Sequence, residues 1–169
     1  MLERFVKLAV LSFICLFLIV MTISSFIPSN VRISRAINVK ASPDSVLNEI
    51  NDLNKWKKWY PGFDTLMLEP LTTKDGRWLS ARMKGTTISV TEPKPGEVKA
   101  EFITEDKNPV IGGWKALSFN QSDSLTVQWY LDFKLKWYPW DKFFSLAYDK
   151  MYGAQMEQGL KNLKKNVER

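Results

Sequence analysis

The stretch LTVQWYLDFKLKW, residues 125–137, constrains the fold more than any other part of the chain. Its odd positions, Leu125, Val127, Trp129, Leu131, Phe133, Leu135 and Trp137, are all apolar, while the even ones include Thr126, Gln128, Asp132, Lys134 and Lys136. Successive side chains of a strand point to opposite faces, so this alternation predicts a strand with one face in the interior and the other in water. Such a strand needs neighbours in a sheet and an apolar partner over its buried face.

The partner follows at once. Over residues 141–168 the apolar period lengthens to three and four, placing Phe144, Ala147, Tyr148, Met151, Gln155, Gly159, Leu160, Leu163 and Val167 on one side of a single long helix. Lys161, Lys164, Lys165 and Arg169 gather in its last turns, where cations complement the helix dipole. Gly159 in mid-helix costs about 1 kcal/mol against Ala, which predicts close packing at that point.

The rest of the sheet is read upstream. VRISRAINVKA alternates Val31, Ile33, Ile37 and Val39 with mostly polar neighbours, as a half-buried strand does. Ser42, Pro43 and Asp44 then form a helix start: a capping oxygen, a preset φ and a charge suited to the dipole. A second short helix is expected over residues 53–59, before Pro61-Gly62. Further strands are expected in TLMLEPL, in RWLSARMKG and TTISVTEP after a turn at Lys74-Asp75-Gly76, and in EVKAEFITED after Pro95-Gly96. In NPVIGGWKALSFN, the pair Gly112-Gly113 signals a bulge or a close backbone approach.

Residues 8–27 form an uncharged run, preceded by Arg4 and Lys7 and closed by Pro28. Its twenty residues make a helix of about 30 Å, the thickness of a bilayer core. Thirteen of them are Leu, Ile, Val or Phe, and the length favours an uncleaved anchor over a signal peptide, whose apolar core spans about 7–15 residues. The basic residues before the run favour a domain on the non-cytoplasmic side, although Arg32, Arg35 and Lys40 flank the other end. The chain thus divides into an anchor (or signal segment), residues 1–28, and one domain, residues 31–169.

Composition removes much chemistry. With no histidine and a single cysteine, Cys15 in the apolar run, the chain has no Ser-His-Asp triad, no His- or Cys₄-ligated zinc, no CxxC motif and no intrachain disulfide. No cofactor, metal site or catalytic set is expected. The formal net charge of +6 is spread along the chain without a nucleic-acid-binding motif, so nucleic acid is not an expected partner. In INDLNKWKKWYPGFD, Trp56 and Trp59 stand three apart among Lys55, Lys57 and Lys58, which reads first as core aromatics on a lysine-solvated helix and second as a membrane-surface contact.

The order strand, two short helices, about six strands, long helix is similar to the START/polyketide-cyclase superfamily (SRPBCC), whose helix-grip fold is shared with the birch pollen allergen. Three stretches carry the resemblance. SRAINVKASPDSVLNEINDLNKWKKWYP matches the family's opening through Arg35, Ile37, Ala41, Pro43, Val46, Asp52, Trp56 and Trp59. LTVQWYLDF matches its alternating strand. GLKNLKKNVE matches the closing motif through Gly159, Leu160, Leu163, Lys164 and Glu168, with Met156 where a Phe is frequent. The resemblance implies an α+β helix-grip fold: a curved antiparallel sheet of about six or seven strands round the C-terminal helix, with apolar ligands bound between them.

Alternation places Ile88 and Val90, Val98 with Phe102, Leu117 with Phe119, and Trp129, Leu131 and Phe133 on the inner face; the helix adds Tyr148, Met151 and Gln155. The ligand-binding set expected from these is Ile88, Val90, Phe102, Phe119, Trp129, Leu131, Phe133, Tyr148, Met151 and Gln155. Glu97, Glu101 and Asp132 fall on the polar phase. Arg35 shares the inward phase of Ile33 and Ile37, where it would hold an anionic head group or pair with a carboxylate at the rim. The favoured reading is a membrane-anchored domain that binds a hydrophobic small molecule or lipid. The alternatives are a cyclase- or dehydratase-like enzyme, and an interaction module whose aromatics simply fill the core.

Overall fold

The computed structural model describes residues 2–91, 94–118 and 124–168. Helix α1 (Leu2–Ser25) is followed by strand β1 (Asn30–Val39), helix α2 (Pro43–Ile50) and a 3₁₀ helix (Leu53–Lys58). Strands β2 (Glu69–Lys74), β3 (Arg77–Met83), β4 (Thr86–Val90), β5 (Glu97–Thr104), β6 (Val110–Ser118) and β7 (Leu125–Lys134) come next, then helices α3 (Pro139–Ser145) and α4 (Tyr148–Val167). The strands form one antiparallel sheet in the order β1-β7-β6-β5-β4-β3-β2. Only the β1–β2 connection joins opposite edges, and α2 with the 3₁₀ helix carries the chain across. This is an α+β helix-grip architecture, with α4 over the inner face of the sheet.

Local chemistry accounts for the elements. Ser42 Oγ accepts from Ser45 N at 3.2 Å with Pro43 at the first turn, so α2 starts where its capping residues put it. Asp52 caps the 3₁₀ helix by accepting from Asn54 N at 3.0 Å, and the same Oδ1 accepts from Trp78 N at 3.1 Å, tying that helix to β3. The β2–β3 turn has positive φ at Asp75 and Gly76, the conformation of a tight hairpin. β2 is an exposed edge that begins at Glu69 rather than in the preceding apolar residues, with a register shift beside Pro70, which has no N–H to give the ladder.

The alternation in β7 holds from Leu125 to Leu135, all buried, and fails at Trp137, which is 66% exposed. The last ladder-like bond is Leu135 N to Ser29 O at 2.8 Å; beyond it the chain turns into α3. The Gly112-Gly113 pair makes no bulge, since pairing runs unbroken through both residues. It is a close approach instead. A Cβ on Gly113 would fall inside the Tyr130 ring, and one on Gly112 would lie 2.9 Å from Phe102 Cε2.

The single C-terminal helix expected from periodicity is two. α3 closes through tight bonds, Leu146 N to Phe143 O at 3.2 Å and Ala147 N to Phe144 O at 3.0 Å, and α4 starts at Tyr148. The two have different partners: α3 lies against α1 near Phe17 and Val20, whereas α4 crosses the sheet. Helix α1 is long and apolar enough to cross a membrane, and its apolar side chains are exposed.

The core is largely aromatic. Trp56 and Trp59 are wholly buried, and their indole N–H groups donate to Ile50 O at 2.7 Å and Glu49 O at 3.3 Å. Trp56 stacks on Tyr60 at 5.1 Å and meets Trp114 edge-on at 5.1 Å; Trp114 in turn stacks on Trp129 at 5.4 Å. The lysine-rich stretch at residues 50–64 is therefore architecture.

Candidate functional site: an apolar cavity between sheet and helix

The aromatic cluster fills one end of the interior and leaves a cavity of about 180 Å³ at the other. The sheet supplies Phe102 from β5, Val110 from β6, and Trp129, Leu131 and Phe133 from β7. Helix α4 supplies Tyr152, Gln155 and Met156, and Tyr60 closes the wall beyond the 3₁₀ helix. Two glycines make the shape possible: Gly112 leaves the floor between Phe102 and Leu131 bare, and Gly159 admits the edge of Trp129 to within 2.7 Å of where its Cβ would stand.

The polar groups of this wall are few. Gln155 Nε2 donates to Pro61 O at 3.3 Å. Tyr60 is held protonated by burial, with Tyr152 beside it adding to the effect. The Trp129 indole N–H is buried without a partner, as is that of Trp114. The lining includes no carboxylate and no cation. Among the described residues no group of three or more side chains is arranged to hold a metal. The wall can thus surround an apolar body and offer hydrogen-bond donors to an acceptor on it. Tyr60, protonated at neutral pH, is no general base.

Of the residues expected from sequence, Phe102, Trp129, Leu131, Phe133 and Gln155 meet around this cavity. Ile88 and Val90 are buried in the core without reaching its wall. Tyr148 stands outside it, in a recess of about 420 Å³ that shares Val110, Phe133 and Tyr152 with the cavity. Met151 is half exposed and Leu117 faces outward; Phe119 lies outside the described residues. The inward phase of β6 is Gly112, Trp114 and Ala116, one residue out of step with the expected set.

Tyr60, Val110, Tyr152 and Met156 were not in the expected set. Tyr152 and Met156 follow Tyr148 at steps of four and lead to Leu160 and Leu163, so a stripe through Tyr148 rather than Met151 would have found both. Tyr60 follows a 3₁₀ helix in irregular chain, where no period applies.

Arg35 points toward α4 but not into the cavity. Its guanidinium lies across Gly153 and pairs with Asp149 and Glu157, each at 2.9 Å, and this pairing draws the Asp149 carboxyl below its ordinary range. That is the carboxylate pairing at the rim, with both charges met.

Residues 30–168 match the family model described as polyketide cyclase / dehydrase and lipid transport. The chain belongs to this family. Among solved structures it is similar to a START superfamily protein from Mycobacterium smegmatis (19% identity, 81% of this chain and 97% of that one, TM-score 0.58). It is similar as well to a protein from Thermobifida fusca (12% identity, 80% and 92%, TM-score 0.59). A third is the di-domain ARO/CYC StfQ from the steffimycin biosynthetic pathway (14% identity, 82% and 51%, TM-score 0.57). At these identities the likeness is one of fold. No curated protein sequence matches the chain.

Proposed function

We propose that this protein is a membrane-anchored binding domain for a hydrophobic small molecule or lipid, held between the sheet and α4. The observation that carries the reading is the cavity wall: apolar and aromatic, with a few hydrogen-bond donors and no ionised group. Small-molecule sites are mostly apolar with a few polar groups that fix orientation. The family, described in terms of cyclisation, dehydration and lipid transport, supports a ligand of that class.

The cavity is small. An apolar cavity of about 150 Å³ takes benzene, so about 180 Å³ takes one ring or a short chain. A larger ligand extends past Val110, Phe133 and Tyr152 into the outer recess, where Lys107, Lys134, Lys136 and Asp141 call for a polar end. Anchorage falls in this reading to α1, whose length, apolar composition and exposed apolar side chains support a bilayer-spanning segment.

The test is native mass spectrometry of the full chain extracted from its own membranes in mild detergent. A co-purified apolar mass released on unfolding is the expected result. A folded protein that carries no mass beyond detergent overturns the reading.

A further inference from the structure

The segment between β7 and α4 exposes more large apolar surface than the rest of the domain's helices. Trp137 and Trp140 are each about two-thirds exposed (66% and 63%), Leu146 is 70% exposed, and Phe143 and Phe144 are open as well. Soluble surfaces rarely carry such a contiguous patch without a use for it.

Its position is fixed against α1. Trp140, Phe143 and Phe144 form a groove with Phe17 and Val20, and the largely buried Lys142 donates from Nζ to Ile27 O at 3.0 Å, closing the junction. Phe17 and Val20 precede the helix end at Ser25 by about 12 and 8 Å at 1.5 Å rise per residue. If α1 spans a bilayer, its packing alone draws α3 below the headgroup plane to that depth. An interfacial amphipathic helix is buried about 5–10 Å, so the two figures agree. The side-chain types fit the same place: tryptophan and tyrosine concentrate at the water–lipid boundary, and Lys134 and Lys136 stand on the watery side.

We infer that residues 137–147 form an interfacial wedge seated in the leaflet that α1 enters, with the lipid bilayer as its partner. The consequence for the site is direct. Phe144 belongs both to the groove with α1 and to the outer recess, and the recess shares Val110, Phe133 and Tyr152 with the cavity. The wedge therefore sets one wall of the recess, at Phe144, against the membrane, while Lys134, Lys136 and Asp141 line the same recess from the side of water. This rests on the proposed anchor, and goes beyond it by naming the surface that meets the lipid.

The full chain is reconstituted into vesicles of phosphatidylcholine and phosphatidylglycerol, with and without bromines on the acyl chains. Helix α1 contains no tryptophan, so quenching by bromine reports on the domain alone. The wild type should lose a fraction of its emission up to the share of two tryptophans in seven, and the Trp137→Phe/Trp140→Phe variant should lose none. Both replaced side chains are exposed, and unchanged circular dichroism checks that the variant is folded. A chain that washes off the vesicles at alkaline pH sinks the anchor and the wedge together. Retained protein without quenching sinks the wedge alone, and the assignment passes to a second copy or a protein partner if the two indoles are then shielded from aqueous iodide. Quenching that persists in the double variant also overturns it.

Discussion

Gly159 and Gly113 do opposite things with the same missing side chain. On α4, Gly159 lets Trp129 and Pro61 come in, at 2.7 and 3.0 Å from an added Cβ. Alanine there would gain about 1 kcal/mol of helix propensity. It would also push on a ring fixed by Trp114 and Trp59, and such overpacking costs about 1–3 kcal/mol. Gly159→Ala should therefore lower stability by about 1 kcal/mol net, read as an earlier urea midpoint in detergent solution. A more stable variant would mean that the ring has room. On the outer face, Gly113 seats Tyr130, whose hydroxyl donates to Glu97 Oε1 at 2.7 Å under the guanidinium of Arg32. That bond holds the Glu97 carboxyl below its ordinary range, and burial with the same bond raises Tyr130. Because the folded value is the lower one, the stabilisation is complete above the unfolded pKa of about 4.3 and is lost as pH falls through the folded value. Tyr130→Phe should cost about 1–2 kcal/mol at pH 7 and progressively less as acid protonates Glu97 in the folded protein, read from chemical denaturation along a pH series.

Asp52 shows how the elements are tied. One buried carboxylate oxygen caps the 3₁₀ helix and takes the Trp78 N–H of β3, so that the segment crossing from one sheet edge to the other is fastened midway to the strand next to the far edge. Asp52→Ala leaves a helix uncapped and a strand donor unpaired, and should destabilise by about 2 kcal/mol. Asp52→Asn, which keeps the accepting oxygen, should restore most of it; equal loss in both variants would show that charge rather than the two bonds matters. Much of this scale was readable in advance, and the exceptions have physical causes. β7 announced itself because water and interior alternate along it. β6 did not, because its inner face carries Gly112 and Ala116 while Ile111 and Leu117 sit on the outer face, so hydrophobicity marked the wrong phase. The break between α3 and α4 left no mark because Leu146 and Ala147 keep near-helical dihedrals, which continues the apolar period across it. Of the cavity wall, the β7 residues followed from alternation, whereas Tyr60 depends on tertiary placement that no local pattern encodes.

At the scale of the molecule, the packed aromatic cluster leaves a cavity of about 180 Å³ beside it, and the proposed binding role depends on that space. The tryptophans that might have filled the whole space stack on one another beside α2 and the 3₁₀ helix. The remainder adjoins the recess, which Phe144 of α3 lines on its far side. Val110 stands at the join, half-buried at the start of β6 and common to cavity and recess. If ligands longer than one ring reach the cavity by that join, a larger side chain there should stop them without disturbing the packed half. Val110→Phe should keep the melting temperature within a few degrees, since the added ring enters open space rather than packed core. The apolar mass that co-purifies with the full chain should fall at least tenfold in occupancy, a loss of about 1.4 kcal/mol or more in binding. Unchanged occupancy in a folded variant would mean that ligand, if present, lies elsewhere, and the division of the interior would then have no bearing on function.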